Sequence, residues 1–159
     1  MRVLFFSLLI VATDQFTKWL AVTRLRPLGS VTLIPDFFNL SYVENIGAAW
    51  GMLAGQRWML IGFALLTVGF MFWKRGQLFA PFRCSTAIQS LLYGGILGNS
   101  IDRIVSGRVI DFLDFHWGAS HFPAFNIADS AICCGAFLYL AVQWFCKPRA
   151  MYDKGKVVS

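Results

Sequence analysis

Charge is scarce in this sequence. Only 14% of its 159 residues are Asp, Glu, Lys or Arg, against 57% hydrophobic, a balance too apolar for a soluble chain of this length and typical of one that lives in lipid. Acid is scarcer than base, with eight Asp and Glu against fourteen Lys and Arg and a net charge of +6. No basic stripe marks a soluble face, so the excess is not read as nucleic-acid binding. It reads as a topology signal and as attraction to anionic membrane lipids. Cysteine is limited to Cys84, Cys133, Cys134 and Cys146, with no Cys-x-x-Cys pair. Placed in apolar segments or near their inner ends, these are expected to be small packing residues and not disulfides. The two histidines, His116 and His121, are five apart and belong to no His-Glu-x-x-His motif. A metal site would need loop geometry to gather them with Asp111, Asp114 or Asp129. The absence of a Gly-x-Ser-x-Gly elbow, and of any serine specified beside Lys18, argues against a serine hydrolase.

What the chain does have is long apolar windows. A membrane-spanning helix needs about 20 mostly apolar residues, and four candidates fit: Val3 to Val22, Trp58 to Trp73, Cys84 to Ile104 and Ile127 to Cys146. The second is short, but Arg57, Trp58, Trp73 and Lys74 mark its ends as interfacial anchors do. The first is read as a span and not a cleaved leader, because Asp14 and Lys18 interrupt it. Four spans put both termini on one side. Arg2, Lys74, Arg75, Arg83, Lys147, Arg149, Lys154 and Lys156 then fall in cytoplasmic segments, which favours both ends inside. The expected fold is an all-α membrane protein forming one domain over residues 1–159. It is a bundle of four transmembrane helices with a small β-sheet and loop region, residues 23–56, on the outer (periplasmic) face.

Polar residues inside these apolar segments carry the functional information. Asp14 and Lys18 are four apart with the acid first, the favoured order for a pair on one helical face. Lys18 stands roughly 22 Å along its helix, in the outer part of a bilayer, and the pair is either a packing clasp or part of a nearby site. In the outer segment, the alternation of Phe38, Leu40 and Tyr42 suggests short strands. Glu44-Asn45-Ile46-Gly47-Ala48-Ala49-Trp50-Gly51 combines an amide with small residues, which suits close backbone approach, either for a peptide substrate or as an ordinary tight loop. Gly94 and Gly98 have the spacing that lets membrane helices touch. Asn99, Asp102 and Arg103 at the end of that segment need hydrogen-bond partners, and for Asp102 and Arg103 a clasp holding the loop is preferred. Asn126 is placed to cap the last helix, with Asp129 in its first turn, where capping alone would explain the acid.

By elimination, the chemistry left is a carboxylate pair. Two neighbouring acids cannot both ionise comfortably, so they share one proton, activate water and hydrogen-bond a carbonyl oxygen without a cofactor. Asp111 and Asp129 are the pair proposed. Asp111 sits among Val109, Ile110, Phe112 and Leu113, and Asp114 is its rival. Three residues apart, the two rivals face opposite ways on a strand and similar ways on a helix, which chemistry alone does not separate. A proton or cation carrier would spread its acids across the membrane, whereas these cluster toward one side. A structural assembly subunit would leave the acids replaceable.

Five motifs occur in order: Asp14-Gln15-Phe16-Thr17-Lys18, Asn45-Ile46-Gly47-Ala48-Ala49-Trp50, Gly94 through Arg103, Val109-Ile110-Asp111-Phe112, and Phe122-Pro123-Ala124-Phe125-Asn126-Ile127-Ala128-Asp129-Ser130. With them the chain resembles the lipoprotein signal peptidases (type II signal peptidases), membrane aspartic proteases of bacteria. The resemblance covers nearly the whole chain. It implies catalytic roles for Asp111 and Asp129, and supporting or substrate-binding roles for Asp14, Lys18, Asn45, Gly47, Asn99, Asp102, Arg103, Asn126 and Ala128, with no metal or other cofactor. It implies prolipoprotein substrates cut before a diacylglyceryl-modified cysteine, location in the cytoplasmic (inner) membrane with the site near the outer face, and sensitivity to cyclic peptides such as globomycin. Trp50 departs from the phenylalanine commoner at that place, which touches only pocket shape.

Overall fold

The computed structural model describes residues 1–48, 51–79, 82 and 84–145. Arg83, Cys146, the basic tail from Lys147 and the Ala49-Trp50 end of the small-residue motif lie outside the described residues. Helix α1, Arg2–Leu20, contains no Gly or Pro and runs on through a wider turn, Ala21–Leu25. It ends where Pro27 cannot supply an N–H and Gly29 adopts a φ of +74°. Strands β1 (Ser30–Ile34) and β2 (Phe38–Asn45) follow, then α2 (Arg57–Trp73), a short turn of helix α3 (Arg75–Leu78) and α4 (Ser85–Val105). Strands β3 (Val109–Trp117) and β4 (Ser120–His121) precede the last helix, α5 (Ile127–Phe145).

Polar groups point inward and apolar ones outward, the reverse of a soluble protein. Asp14, Lys18, Ser90, Asn99 and Asn126 are buried, while Phe5, Leu66, Phe72, Phe137 and Trp144 stand exposed on the helix surfaces. That distribution suits a surround of hydrocarbon. Two of the four expected spans, Arg2–Leu25 and Ile127–Phe145, are long and apolar enough to cross a membrane, and Arg57–Trp73 is apolar but shorter. Helix α4 has the length, 21 residues. Gln89, Ser90, Asn99, Ser100, Asp102 and Arg103 make it the most polar of the long helices, because its side chains serve the interior.

Helix α4 lies between α1 and α5, and glycines set the distances. A Cβ on Gly95 would stand 2.4 Å from the Ala128 carbonyl oxygen of α5, and one on Gly98 would stand 2.7 Å from Asp14 Oδ2 of α1. These two contacts bring the polar residues of three helices within hydrogen-bond reach. At the far end of the helices, Met71, Phe79, Phe82, Ile88 and Val142 form a plain apolar core. The free thiols Cys84, Cys133 and Cys134 are exposed, a correction to the expectation that they pack inside. Their segments present them outward, where a thiol substitutes for other small apolar groups.

The sheet is antiparallel with strand order β1-β2-β3-β4. It rests on the end of α1 through Ala21, Leu25 and Phe112. Beyond the strands expected between residues 23 and 56, β3 joins this sheet and carries Asp111 itself. The β2–β3 register shifts between Leu40 and Val43, so that Leu40 pairs with Leu113 but Val43 with Asp111 and Asn45 with Val109. The one-residue bulge moves Asn45 onto the face that Asp111 occupies; in the unbroken register it would share a face with Ile110 and Phe112.

Candidate active site

Asp111 comes from the middle of β3 and Asp129 from the first turn of α5, and both line one cavity of about 460 Å³. Asn45, Asn99 and Arg103 also line it, with Ala48, Ser130, Cys133 and the apolar run Phe122 to Phe125 as walls. Phe125 is tied to β3 by paired backbone hydrogen bonds with Leu113, at 2.9 and 3.1 Å, and its ring stacks on Phe115. One strand therefore supplies an acid and anchors part of the cavity wall.

Asn126 caps α5 in the manner the sequence suggested. Its Oδ1 accepts the Asp129 backbone N–H at 2.9 Å, and Asp129 Oδ2 accepts the Asn126 backbone N–H at 3.2 Å. This reciprocal box satisfies two free helix donors. Capping is thus part of what Asp129 does, but its other oxygen, Oδ1, accepts a 2.7 Å hydrogen bond from Asn99 Nδ2. Asp111 receives Asn126 Nδ2 on Oδ1 at 2.6 Å and Asn45 Nδ2 on Oδ2 at 2.9 Å.

The direction of all three amides follows from donors that have no choice. Asn126 Oδ1 faces the Asp129 N–H, Asn45 Oδ1 faces the Gly47 N–H at 2.9 Å, and Asn99 Oδ1 faces the Lys18 ammonium at 2.9 Å. Backbone N–H and ammonium groups only donate. Each amide must therefore turn its NH2 toward a carboxylate, and the two acids are held in place by N–H groups.

Asp111 is only 2% exposed. Burial pushes its carboxyl up to about 6, the charge of Asp129 adds to the rise, and the hydrogen bonds from Asn45 and Asn126 and the charge of Lys18 oppose it. Asp114, on the other face of β3, has a different setting. Burial would raise it, but the hydrogen bonds from His121 (2.8 Å) and Ser41 (2.9 Å) outweigh that and hold its carboxyl below the usual range. A strand, and not a helix, separates the rivals: Asp114 points away from the cavity.

Behind the cavity lies an ion cluster. Lys18 Nζ donates to Asp14 Oδ2 at 2.8 Å and to Asn99 Oδ1 at 2.9 Å, and forms an ion pair with Asp102 Oδ2 at 2.6 Å. Asp14 Oδ1 accepts the Ala128 N–H at 2.8 Å, tying α1 to the start of α5. Gln15, which the sequence reading passed over, donates to Asp102 Oδ1 at 2.8 Å and to the Gly98 carbonyl at 3.3 Å. Only its place beside Asp14 hinted at this. Arg103 Nη2 donates to the Gly47 carbonyl at 2.8 Å, the loop clasp expected of it. Gly47 is required by its own loop, since a Cβ there would stand 2.7 Å from the Met52 carbonyl oxygen. Of the residues singled out from sequence, Asp111, Asp129, Asn45, Asn99 and Arg103 line the cavity, while Asp14, Lys18, Gly47, Asp102, Asn126 and Ala128 stand behind it.

Apolar outer surfaces around buried polar side chains, with a largely apolar cavity reaching two buried acids, are the plan of an enzyme built into a membrane, and solved structures share the fold. Two chains, each titled a bacterial membrane enzyme structure, are 33% identical to this one. The first has a TM-score of 0.75 over 99% of this chain and 94% of its own. The second has a TM-score of 0.73 over 91% and 94%.

The sequence pattern of the family described as Signal peptidase (SPase) II matches residues 6–145, and the chain belongs to that family. It is 43% identical over 144 residues to the lipoprotein signal peptidase of Syntrophotalea carbinolica, covering 89% of each chain. With the lipoprotein signal peptidase of Shewanella loihica it shares 47% identity over 140 residues, 83% of this chain and 79% of that one. The protein is a protease that removes signal peptides from prolipoproteins.

Proposed function

We propose that Asp111 and Asp129 are the catalytic pair of this protease and cut the prolipoprotein just before a diacylglyceryl-modified cysteine. The observation that carries this reading is that the two acids share a single cavity, each oriented by asparagine amides. In the reaction one aspartate, ionised, takes a proton from water as the oxygen adds to the scissile carbonyl carbon. The other, protonated, donates to the carbonyl oxygen. Collapse of the tetrahedral adduct breaks the C–N bond as one aspartate gives its proton to the leaving nitrogen and the other takes one from an adduct hydroxyl, which leaves the pair with its single proton again. The products are the signal peptide's carboxylate and the cysteine's free amine. The pair titrates as a unit, so neither role is fixed to one residue. Asn45, Asn99 and Asn126 keep both carboxylates oriented through the cycle, and Arg103 holds the Gly47 loop at the cavity rim.

In this reading α1, α2, α4 and α5 all cross the membrane as one unit, with both termini cytoplasmic and the cavity near the outer face. Lys74 and Arg75 at the α2–α3 junction lie on the inner side under this topology. The apolar walls, Phe122 to Phe125 among them, suit a lipid-modified substrate drawn from the bilayer and cyclic peptides such as globomycin that would occupy the same space. Asp111→Asn and Asp129→Asn are each expected to abolish cleavage of a lipidated prolipoprotein in reconstituted membranes. Retained cleavage in either variant rejects the pair.

A further inference from the structure

The Lys18 ammonium is not part of the cavity lining, yet it is the charged and shorter of the two donors on Asn99 Oδ1 that fix which way this amide faces. Asn99 Oδ1 also accepts Asn126 Nδ2 at 3.2 Å, so one amide meets Lys18, Asn126 and Asp129 together. A neutral side chain in place of Lys18 would remove the donor that most strongly discriminates the two amide orientations. Rotated by half a turn, Asn99 would aim its oxygen at Asp129 Oδ1, and an ionised carboxylate could not tolerate that at 2.7 Å. We infer that Lys18 is a positioning residue for the reaction, acting on Asp129 through the amide of Asn99, and that the Asp14 and Asp102 carboxylates serve to hold the ammonium at that task.

The inference rests on the reading of Asp111 and Asp129 as the catalytic pair. Around Asp129 the charged groups are Asp111 of β3, Lys18 and Asp14 of α1, and Arg103 and Asp102 of α4. Lys18 has two routes of influence, its charge acting through space and its hydrogen bond to Asn99, and only the second is the inference. Lys18 and Asp14 are buried, at 3% and 0% exposed, so removing either charge takes a counter-ion from its partner and costs stability whatever its part in the reaction. The test must therefore read something that a loss of stability would not move.

The experiment is a double-mutant cycle on the full-length enzyme in lipid vesicles, with Lys18→Met, Asn99→Ala and the pair combined. It follows kcat and KM for a lipidated prolipoprotein across pH, with melting temperature measured on each variant. Asn99→Ala is expected to lower kcat by at least about tenfold and to move the acid limb of the rate profile up by about one pH unit, because a carboxylate of the pair loses an N–H donor. Lys18→Met is expected to move the limb in the same direction with KM little changed. In the Asn99→Ala background it should add less than about twofold, since residues acting in series are not additive. Lys18→Arg, which keeps a cation and its donors, should restore part of the rate. A Lys18→Met shift that persists without Asn99 is a through-space charge effect and overturns the inference, as does an Asn99→Ala profile identical to the parent. If Lys18→Met does not fold, Lys18→Met with Asp102→Asn preserves the net charge of the cluster and takes its place. Cleavage surviving in Asp111→Asn or Asp129→Asn is the separate result that would remove the catalytic pair itself.

Discussion

Removing the charge of Asp111 should stabilise the protein while silencing it, and by an amount that depends on pH. A buried carboxyl pushed from 3.8 to about 6 is harder to ionise in the folded protein than in the unfolded chain, where an aspartate titrates near its ordinary value. The sign follows from that difference: stability is fully present below the unfolded value and declines as pH rises through the folded one. Taking 1.36 kcal/mol per pH unit, the ionised form costs the fold about 3 kcal/mol above pH 7 and nothing near pH 3. Asp111→Asn escapes this cost. It loses something in return, because an amide offers one acceptor where the carboxylate offered two. Asn45 or Asn126 then loses its acceptor, at about 1 kcal/mol. The hydrogen-bond loss is the same at every pH, so it cancels when the variant is compared with the parent at two pH values. In a chain of this length 1 kcal/mol moves the melting temperature by about 2–4 °C. Because pH 4 already lies just above the unfolded value, where about 0.6 kcal/mol of the cost has appeared, the melting temperature of Asp111→Asn relative to the parent should be about 5–10 °C more favourable at pH 8 than at pH 4. Differential scanning fluorimetry in detergent, with both proteins measured at both pH values, gives the comparison. An offset between variant and parent that is the same at pH 4 and pH 8 would refute the claim that Asp111 carries a buried, costly charge.

Asp114→Asn should retain most of the cleavage activity, since that side chain belongs to the opposite face of β3, and should weaken only its own ties to His121 and Ser41; a loss as severe as that of Asp111→Asn in the same cleavage assay would restore Asp114 as a candidate. Gly95→Ala forces a methyl against the Ala128 carbonyl, 2.4 Å from the new Cβ, so it should cost about 1–3 kcal/mol of stability and depress kcat by shifting the turn that carries Asp129, both measurable on the purified variant. Cys133 is exposed and lines the cavity. In a variant whose other cysteines are replaced by serine, a bulky maleimide should block cleavage, and a cavity-bound cyclic peptide should slow the labelling; full activity after complete modification at Cys133 would put the substrate path elsewhere.

Much of this molecule was open to reading along the chain. The apolar segments, their approximate limits, the cap at Asn126 and the isolated acids are local properties, set by composition and by spacing within a single helix turn. The Asp14–Lys18 pair is of that kind, because four residues on a helix bring the two together whatever else the chain does. What local pattern left open was whether Asp111 or Asp114 faces the cavity. Nine residues rich in aromatic and branched side chains suit a strand, but the choice of face depends on pairing with β2. Likewise, the ambiguity between a peptide-binding strip and a tight loop at Asn45 to Gly51 turned on contacts made from elsewhere: the Arg103 guanidinium on the Gly47 carbonyl and Asn45 on Asp111.

The sequence by itself determined a lipid-bathed helical chain with a few acids that such surroundings penalise, because hydrophobic transfer and helical periodicity act on neighbouring residues. Tertiary structure decided which of those acids line one cavity. A bulge in β2 set the face of Asn45, two glycines of α4 set the spacing of three helices, and Lys18 reached an amide 81 positions away. Hydrogen bonds act over about 3 Å, so partners so far apart in the chain are chosen only once the helices have packed.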